Sequence, residues 1–419
     1  MVSPYVPFPG IDHAGGAYFE AYLREASRDR EVTVFAPWSE ANARGQREHG
    51  TNARIRLLPV PPDPASAFVR RLWNARNFTR GLTPGWQVLR AFRRDDAFTD
   101  ALRDADVVEM HWDYLLPVLS QVPPGVPVAA FPYDVVAQTF RRRSAVAPTH
   151  FERIASRLLA ARIQRQEVAL LARAACVFVF SDKDVGLLRA AGLTSPAQVL
   201  DPLLETPATA ATLDSQTLLF VAAMHRPENV GAVRWFLAEV WPTVQAAVPG
   251  ARLVVAGSAP PSGLADDHEN VEVTGYVDDF GPWYAAARAA VVPLRAGAGL
   301  KFKVPQAMLW GLPVVTTPIG AEGIVEHSGP EVFAAVTDDP EAFARACIEV
   351  LVDDEHARDL GRRARAWAGL RYDTERSLAR CLAVTAGLTR SAGEASVAVE
   401  ASQQGVTGTG PAEQGDAPA

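Results

Sequence analysis

The stretch Val291–Ile324, VVPLRAGAGLKFKVPQAMLWGLPVVTTPIGAEGI, decides how the whole chain is read. An apolar run ends at Pro293, and Gly297-Ala298-Gly299 then supplies a loop with so little side-chain bulk that its amides are open to close approach by a ligand. Lys301 and Lys303 follow at once, and a helix is predicted from near Val304, with Pro305 acceptable in its first turn. Gly311 ends that helix, Pro313–Thr316 reads as the next strand, and Ile319-Gly320-Ala321-Glu322-Gly323 makes a second glycine-bearing loop. Two such loops at the carboxyl ends of neighbouring strands mark a ligand crevice. Glycines, then ammonium groups, then a helix start form an arrangement suited to phosphate.

The same alternation extends outward in both directions. Candidate strands are Glu31–Ala36, Val107–Met110, Val126–Phe131 and Cys176–Phe180, then Leu218–Ala223, Arg252–Ala256, Val271–Thr274, Ala289–Pro293 and Val332–Ala335. Helical patterns lie between them, among them Gly16–Arg28, Phe151–Arg173, Asp184–Ala191, Val230–Ala247 and Pro340–Val352. Short apolar strands separated by helices predict parallel sheets buried on both faces, an α/β class. The pattern breaks at Asp201-Pro202-Leu203-Leu204-Glu205-Thr206-Pro207, which reads as a linker. We therefore expect domains at 1–204 and 205–388, followed by a polar, small-residue tail at 389–419 that is expected to be disordered.

Composition narrows the function classes. The chain has 419 residues, enough for two or three domains at ~150 residues each. Its formal net charge of −7 argues against a general nucleic-acid binder. No window approaches the ~18 uninterrupted apolar residues of a bilayer crossing. The start, Met1-Val2-Ser3-Pro4-Tyr5, lacks the basic and apolar regions of a secretory signal, so a cytoplasmic location is expected. The three cysteines (Cys176, Cys347 and Cys381) are too scattered for a disulfide framework or a cysteine zinc site. The 41 basic residues include only three lysines, and two of these are Lys301 and Lys303. In a chain biased so strongly toward arginine, two lysines within three residues of each other mark an anion-binding loop.

The Val291–Ile324 stretch resembles the donor-binding region of family 4 (group 1) retaining glycosyltransferases, in particular members with a Gly-x-Gly-x-Lys-x-Lys-Val-x-Gln-Ala segment and a later Gly-Ala-Glu-Gly. Phe220–Asn229 (FVAAMHRPEN), Ala251–Gly257 (ARLVVAG) and Val271–Val277 (VEVTGYV) are similar to that family's second domain. Pro7–Gly10 through Gly15-Gly16 resembles the glycine loop after its first strand. The resemblance implies a GT-B fold, two Rossmann-like domains whose parallel sheets face an interdomain cleft. It also implies a hexosyltransferase-type enzyme that moves a sugar from a nucleotide-diphosphate sugar, with retention of configuration and no resident cofactor. The acceptor would be a saccharide or lipid-linked molecule, as in cell-surface polysaccharide synthesis.

Carried onto this sequence, the resemblance places Gly297, Gly299, Lys301 and Lys303 at the diphosphate. Gln306, Gly320, Glu322, Gly323, His225 and Asn229 would lie around the rest of the donor, with Gly15 and Gly16 backing it from the first domain. Many members carry two glutamates where this chain has Ala298 and Gln306; glutamine keeps the hydrogen bonds without the charge. His111, expected at the carboxyl end of a buried strand, would lie in the cleft as the catalytic candidate.

Three further features complete the reading. Asp182-Lys183-Asp184 after Ser181 reads as a capped helix start rather than a metal-binding pair, so no metal is expected. Arginines interleaved with Trp73, Phe78, Trp86 and Phe92 across 69–95 suggest either a solvated helical face over core aromatics or peripheral contact with an anionic membrane. The rival functions are a nucleotide-sugar epimerase or phosphorylase on the same scaffold and a non-catalytic sugar-nucleotide-binding homologue. A nicotinamide dehydrogenase is disfavoured because the first loop lacks Gly-x-Gly-x-x-Gly.

Overall fold

The computed structural model describes residues 1–8, 11, 14–61, 66, 69, 86–146 and 150–389. Most of the 69–95 arginine-aromatic segment, the first-loop residues 9, 10, 12 and 13, and the 390–419 tail lie outside the described residues.

The first half forms an all-parallel sheet from β1 (Thr33–Pro37), β2 (Arg54–Leu58), β3 (Val108–His111), β4 (Val128–Phe131), β5 (Cys176–Val179) and β6 (Ala197–Val199). The chain start joins its two parts. Val2 bridges Phe35 in β1 and Met110 in β3, its N–H donating to the Glu109 carbonyl at 2.8 Å while its carbonyl accepts from the His111 amide at 2.9 Å. Every residue of β3, β4 and β5 is buried, which explains the continuous apolar character of β4 and β5, while β3 also buries Glu109 and His111.

The second sheet is also parallel. Its strands are β7 (Thr217–Val221), β8 (Arg252–Ala256), β9 (Val271–Gly275), β10 (Ala289–Val292), β11 (Val314–Thr316) and β12 (Ala335–Val336), in the order β12-β11-β10-β7-β8-β9. The order reverses between β7 and β10, so the loops leaving these two strands open the crevice that such a switch point creates.

Eight helices matter below: α1 (Ala14–Asp29), α2 (Val136–Val146), α3 (His150–Leu171), α4 (Asp182–Ala190), α5 (Pro227–Trp235), α6 (Lys303–Leu309), α7 (Asp354–Arg371) and α8 (Thr374–Thr389). The long helix expected over Val230–Ala247 is interrupted by a π turn at Phe236–Val240. Pro242, having no amide hydrogen, cannot close an α-type bond to Ala238, and the ladder widens just before it. Helix α8 was grouped by sequence with the second domain, yet it packs on the first. Arg30 Nη1 donates to Thr385 Oγ1 at 2.9 Å, and Cys381 and Leu388 join the core around α1. Among the described residues, no helix is long and apolar enough to cross a membrane.

Candidate functional site

The loop from β10 to α6 carries the predicted donor residues. Gly297 and Gly299 have φ of 119° and 70°, values that a β-carbon disfavours. Lys301 Nζ folds back onto its own loop, donating to the Ala298 carbonyl at 2.8 Å and the Gly299 carbonyl at 2.5 Å. Lys303 reaches the other way, toward the loop that leaves β7. Its ammonium lies 4.6 Å from the Phe220 ring centroid and donates to Asn229 Oδ1 at 3.2 Å. Asn229, itself buried, is held by its Nδ2, which donates to the Ala223 carbonyl at 2.8 Å.

Among the described residues, the ammonium of Lys303 has only neutral bonded partners, an amide oxygen and an aromatic face. Burial, with repulsion from Arg226 and Lys301, pushes its pKa down to about 7, against a weak pull from Glu228. Lys301 is also lowered, by burial first, with Glu322 and Asp134 opposing the shift. Buried positive charge of this kind is costly until an anion joins it. Helix α6 spans only seven residues, so the ammonium groups, rather than its dipole, supply most of the attraction.

The second glycine loop faces the first domain. Glu322 is only 8% exposed, and its Oε1 accepts from Arg142 Nη2 at 2.5 Å and Gln138 Nε2 at 2.7 Å, both from α2. Lys183 Nζ of α4 lies 3.3 Å from the same oxygen, and Lys301 Nζ is 4.0 Å from Oε2. Burial alone would raise the carboxyl pKa, but Arg142, Lys183 and Lys301 outweigh it and hold the group below the ordinary carboxylate value. Arg142 also donates through Nη1 to the Gly297 carbonyl. Thus Lys183 and Lys301, with Arg142, converge on Glu322 between the two halves of the chain. Ser181 caps α4 as expected, accepting from the Asp184 amide at 3.2 Å, but no local pattern marks the crossing of Lys183 to Glu322.

Other expected residues occupy varied positions. A β-carbon on Gly320 would lie 2.0 Å from Thr316 Oγ1, so this glycine lets its loop pack between β10 and β11. Gly323, at φ 78°, faces Ser181 of the first domain, and His225 is exposed on the rim. Gln306 is committed to the linker: its Oε1 accepts from the Glu205 amide at 2.9 Å and its Nε2 donates to the Glu205 carbonyl at 2.7 Å. With both ends of its amide engaged, Gln306 pins the linker to α6 rather than presenting itself to a ligand. Gly15 sits against the rings of Trp112 and Tyr133, and Gly16 is buried beside it.

His111 ends β3 as expected but does not open to the cleft. It is 0% exposed, stacked 4.3 Å from Phe131, beside Phe19 and Tyr22, with Nε2 3.7 Å from Glu109 Oε2. Burial lowers its pKa, with Glu109 opposing. Its geometry is that of a neutral core ring beneath α1, and this corrects the expected cleft position. The physical reason is that β3 is covered on both faces, so the end of the strand does not by itself select the open side.

Two further carboxylates of the first domain follow strand ends. Asp134 follows β4 and lies against Gly299, where a β-carbon would come within 1.9 Å of Asp134 Oδ1. Asp113 follows β3. Burial raises both pKa values, that of Asp113 to about 7, with Asp113 and Lys301 acting on Asp134 in opposite directions. Their positions just beyond two strand ends were the signal available in the sequence. Gly299→Ala should therefore collide with Asp134 as well as straining a positive φ. We expect a stability loss of about 1–2 kcal/mol by thermal unfolding, together with weakened donor binding.

With this geometry in place, comparison with known proteins is informative. Residues 215–353 match the family model for Glycosyl transferases group 1. The matched segment contains Asn229, the β10–α6 loop and Glu322. Among solved structures, the chain is similar to sucrose-phosphate synthase from Thermosynechococcus elongatus (TM-score 0.64, 17% identity, covering 91% of this chain and 96% of that one). It is also similar to WaaG, a glycosyltransferase involved in lipopolysaccharide biosynthesis (TM-score 0.59, 17% identity, 92% and 99% covered). A third similar structure is Anabaena HepE in complex with UDP (TM-score 0.60, 14% identity, 88% and 96% covered). These likenesses show the fold, a GT-B pair of Rossmann-like domains. A curated relative, an uncharacterized 44.6 kDa protein in the cps region of Klebsiella pneumoniae, is 25% identical over 175 residues, 39% of this chain. The chain spans 44% of that relative's length.

Proposed function

We propose that the protein is a glycosyltransferase that moves a sugar from a nucleotide-diphosphate sugar to an acceptor hydroxyl. The observation that carries this reading is the half-buried Lys303 ammonium, held by Asn229 and Phe220 with no bonded carboxylate among the described residues, beside Lys301 and Arg226. A diphosphate supplies the missing charge. When the sugar–phosphate bond breaks, negative charge grows on the departing β-phosphate, and preorganised ammonium groups stabilise it most at that moment. The protein's own cations and loop amides meet that charge in this scheme. Solved structures of similar fold were determined with UDP and UDP-glucose, which supports a nucleotide-sugar donor.

In the same proposal, configuration is retained, and the acceptor is a saccharide or lipid-linked molecule bound against the first domain near Asp113 and Asp134. The cps-region relative supports a place in cell-surface polysaccharide synthesis. The test is a thermal-shift panel of nucleotide sugars. A preferred donor at 100 times its dissociation constant should add ~2.7 kcal/mol of stability. Failure of every nucleotide sugar to stabilise the protein would remove the reading. Donor turnover without an acceptor, or dependent on inorganic phosphate, would favour the epimerase or phosphorylase reading instead.

A further inference from the structure

A second cation-lined site lies away from the cleft. A cavity of about 220 Å³ opens between the linker residues Ala210–Leu213, Gly311 at the end of α6, and one face of α7. Arg358, Arg362 and Arg365 line it, spaced four and three residues apart so that they share a helix face. The backbones are unusually close here, since a β-carbon on Gly361 would lie 2.1 Å from the Gly311 carbonyl, and the linker side presents only small side chains at Ala210 and Ala211. This combination keeps a space open beside three guanidinium groups.

The charges around the cavity are unevenly paired. Arg358 lies 3.3 Å from Asp214 and 3.7 Å from Asp354, and Arg362 lies 3.1 Å from Asp359. Arg365 has no carboxylate partner among the described residues. Its Nη2 donates to the Pro207 carbonyl at 2.7 Å, while its Nη1 is buried without a hydrogen-bond partner among the described residues. A guanidinium fork matches phosphate oxygens in geometry as well as charge.

We propose that this cavity binds a phosphate group, either as the free ion or as a small phosphomonoester. The bound oxygens would take donors of the cavity-lining Arg358, Arg362 and Arg365, and the carbon part of an ester would lie along Ala210 and Ala211. A cavity of this size, below the ~300–1,000 Å³ of drug-sized sites, suits such a small anion. An occupant here would clamp the linker against α7 at the point where the Ala211 amide already donates to the Trp310 carbonyl at 2.8 Å.

The probes are inorganic phosphate and glycerol phosphate, with glycerol as the uncharged control, read by thermal shift of the full chain. Both anions should give a saturable rise in Tm that survives in Lys303→Ala, separating this site from the donor loop. Arg365→Leu should abolish the rise. Because Arg365 also holds Pro207, the exposed Arg362→Gln is the second variant, expected to unfold at the same temperature without ligand and to bind phosphate at least fivefold more weakly. Tighter binding of glycerol phosphate than of inorganic phosphate would identify an ester as the occupant, and equal binding the free ion. The proposal is overturned if neither anion gives a saturable shift, or if the shift vanishes in Lys303→Ala and persists in both arginine variants.

Discussion

Lys303→Ala should weaken binding of a nucleotide-diphosphate donor by about 10- to 100-fold, the range for losing a charge-assisted hydrogen bond of ~1.5–3 kcal/mol, while the protein stays folded. The fold is expected to survive because the ammonium contributes no carboxylate pair to the core; it rests on Asn229 and the Phe220 ring. The same residue sets a pH dependence. With its pKa pushed down to about 7, Lys303 is charged below that pH and largely neutral above it in the unliganded protein. Donor affinity should then fall as pH rises from 7 toward 9, and this slope should flatten in Lys303→Ala. Stability runs the opposite way. Between about 7 and the ordinary lysine value the unfolded chain binds more protons, so the unliganded protein gains stability as pH rises through that window. Isothermal titration with the preferred donor at several pH values checks the affinity slope, and thermal unfolding of the unliganded protein over the same range checks the stability slope. Equal affinities for wild type and variant across the range would contradict the first, and a stability slope unchanged in Lys303→Ala would contradict the second.

Glu322→Gln should produce the second large effect. Its carboxylate is where Arg142, Gln138 and Lys183 of the first domain meet Lys301 of the second. Removing the charge leaves three mostly buried cations facing one another, and breaking such a pair by deleting one partner typically costs about 3–5 kcal/mol. Arg142 is partly exposed, which puts the expected effect at the lower end. We expect about a 100-fold loss in kcat/KM and a larger radius of gyration in small-angle scattering, with each domain's core intact. Because the folded-state pKa of Glu322 is depressed, the interdomain contact is present at neutral pH. It should weaken only as pH falls through that lowered pKa. A variant with wild-type compactness and turnover would show that these contacts do not hold the cleft together.

The fold was readable because its strands are short, apolar and evenly interrupted by helices. The linker was readable because that rhythm fails between Asp201 and Pro207. The donor loop stood out through two lysines in an arginine-rich chain. The same scarcity applied to Lys183, yet the local capping pattern of Ser181-Asp182-Lys183-Asp184 absorbed the signal, and its partner Glu322 is far away in sequence. His111 illustrates a different limit. Alternation places Glu109 and His111 on one face of β3, but in a strand buried on both sides the pattern cannot say which face meets the cleft. The docking of Gln306 on Glu205 is not legible in the sequence because an aperiodic linker gives no sign of where its backbone docks. Asp113 and Asp134 sit just past strand ends, where ligands gather, and were passed over because no motif marked them.

The most direct test of the central claim compares a nucleoside diphosphate with the same nucleoside by calorimetry at pH 6.5, in wild type and in Lys303→Ala. If the half-buried ammonium grips the diphosphate, wild type should prefer the diphosphate by at least 100-fold, and most of that preference should vanish in the variant. An unchanged preference in Lys303→Ala would place the phosphates elsewhere and contradict the account.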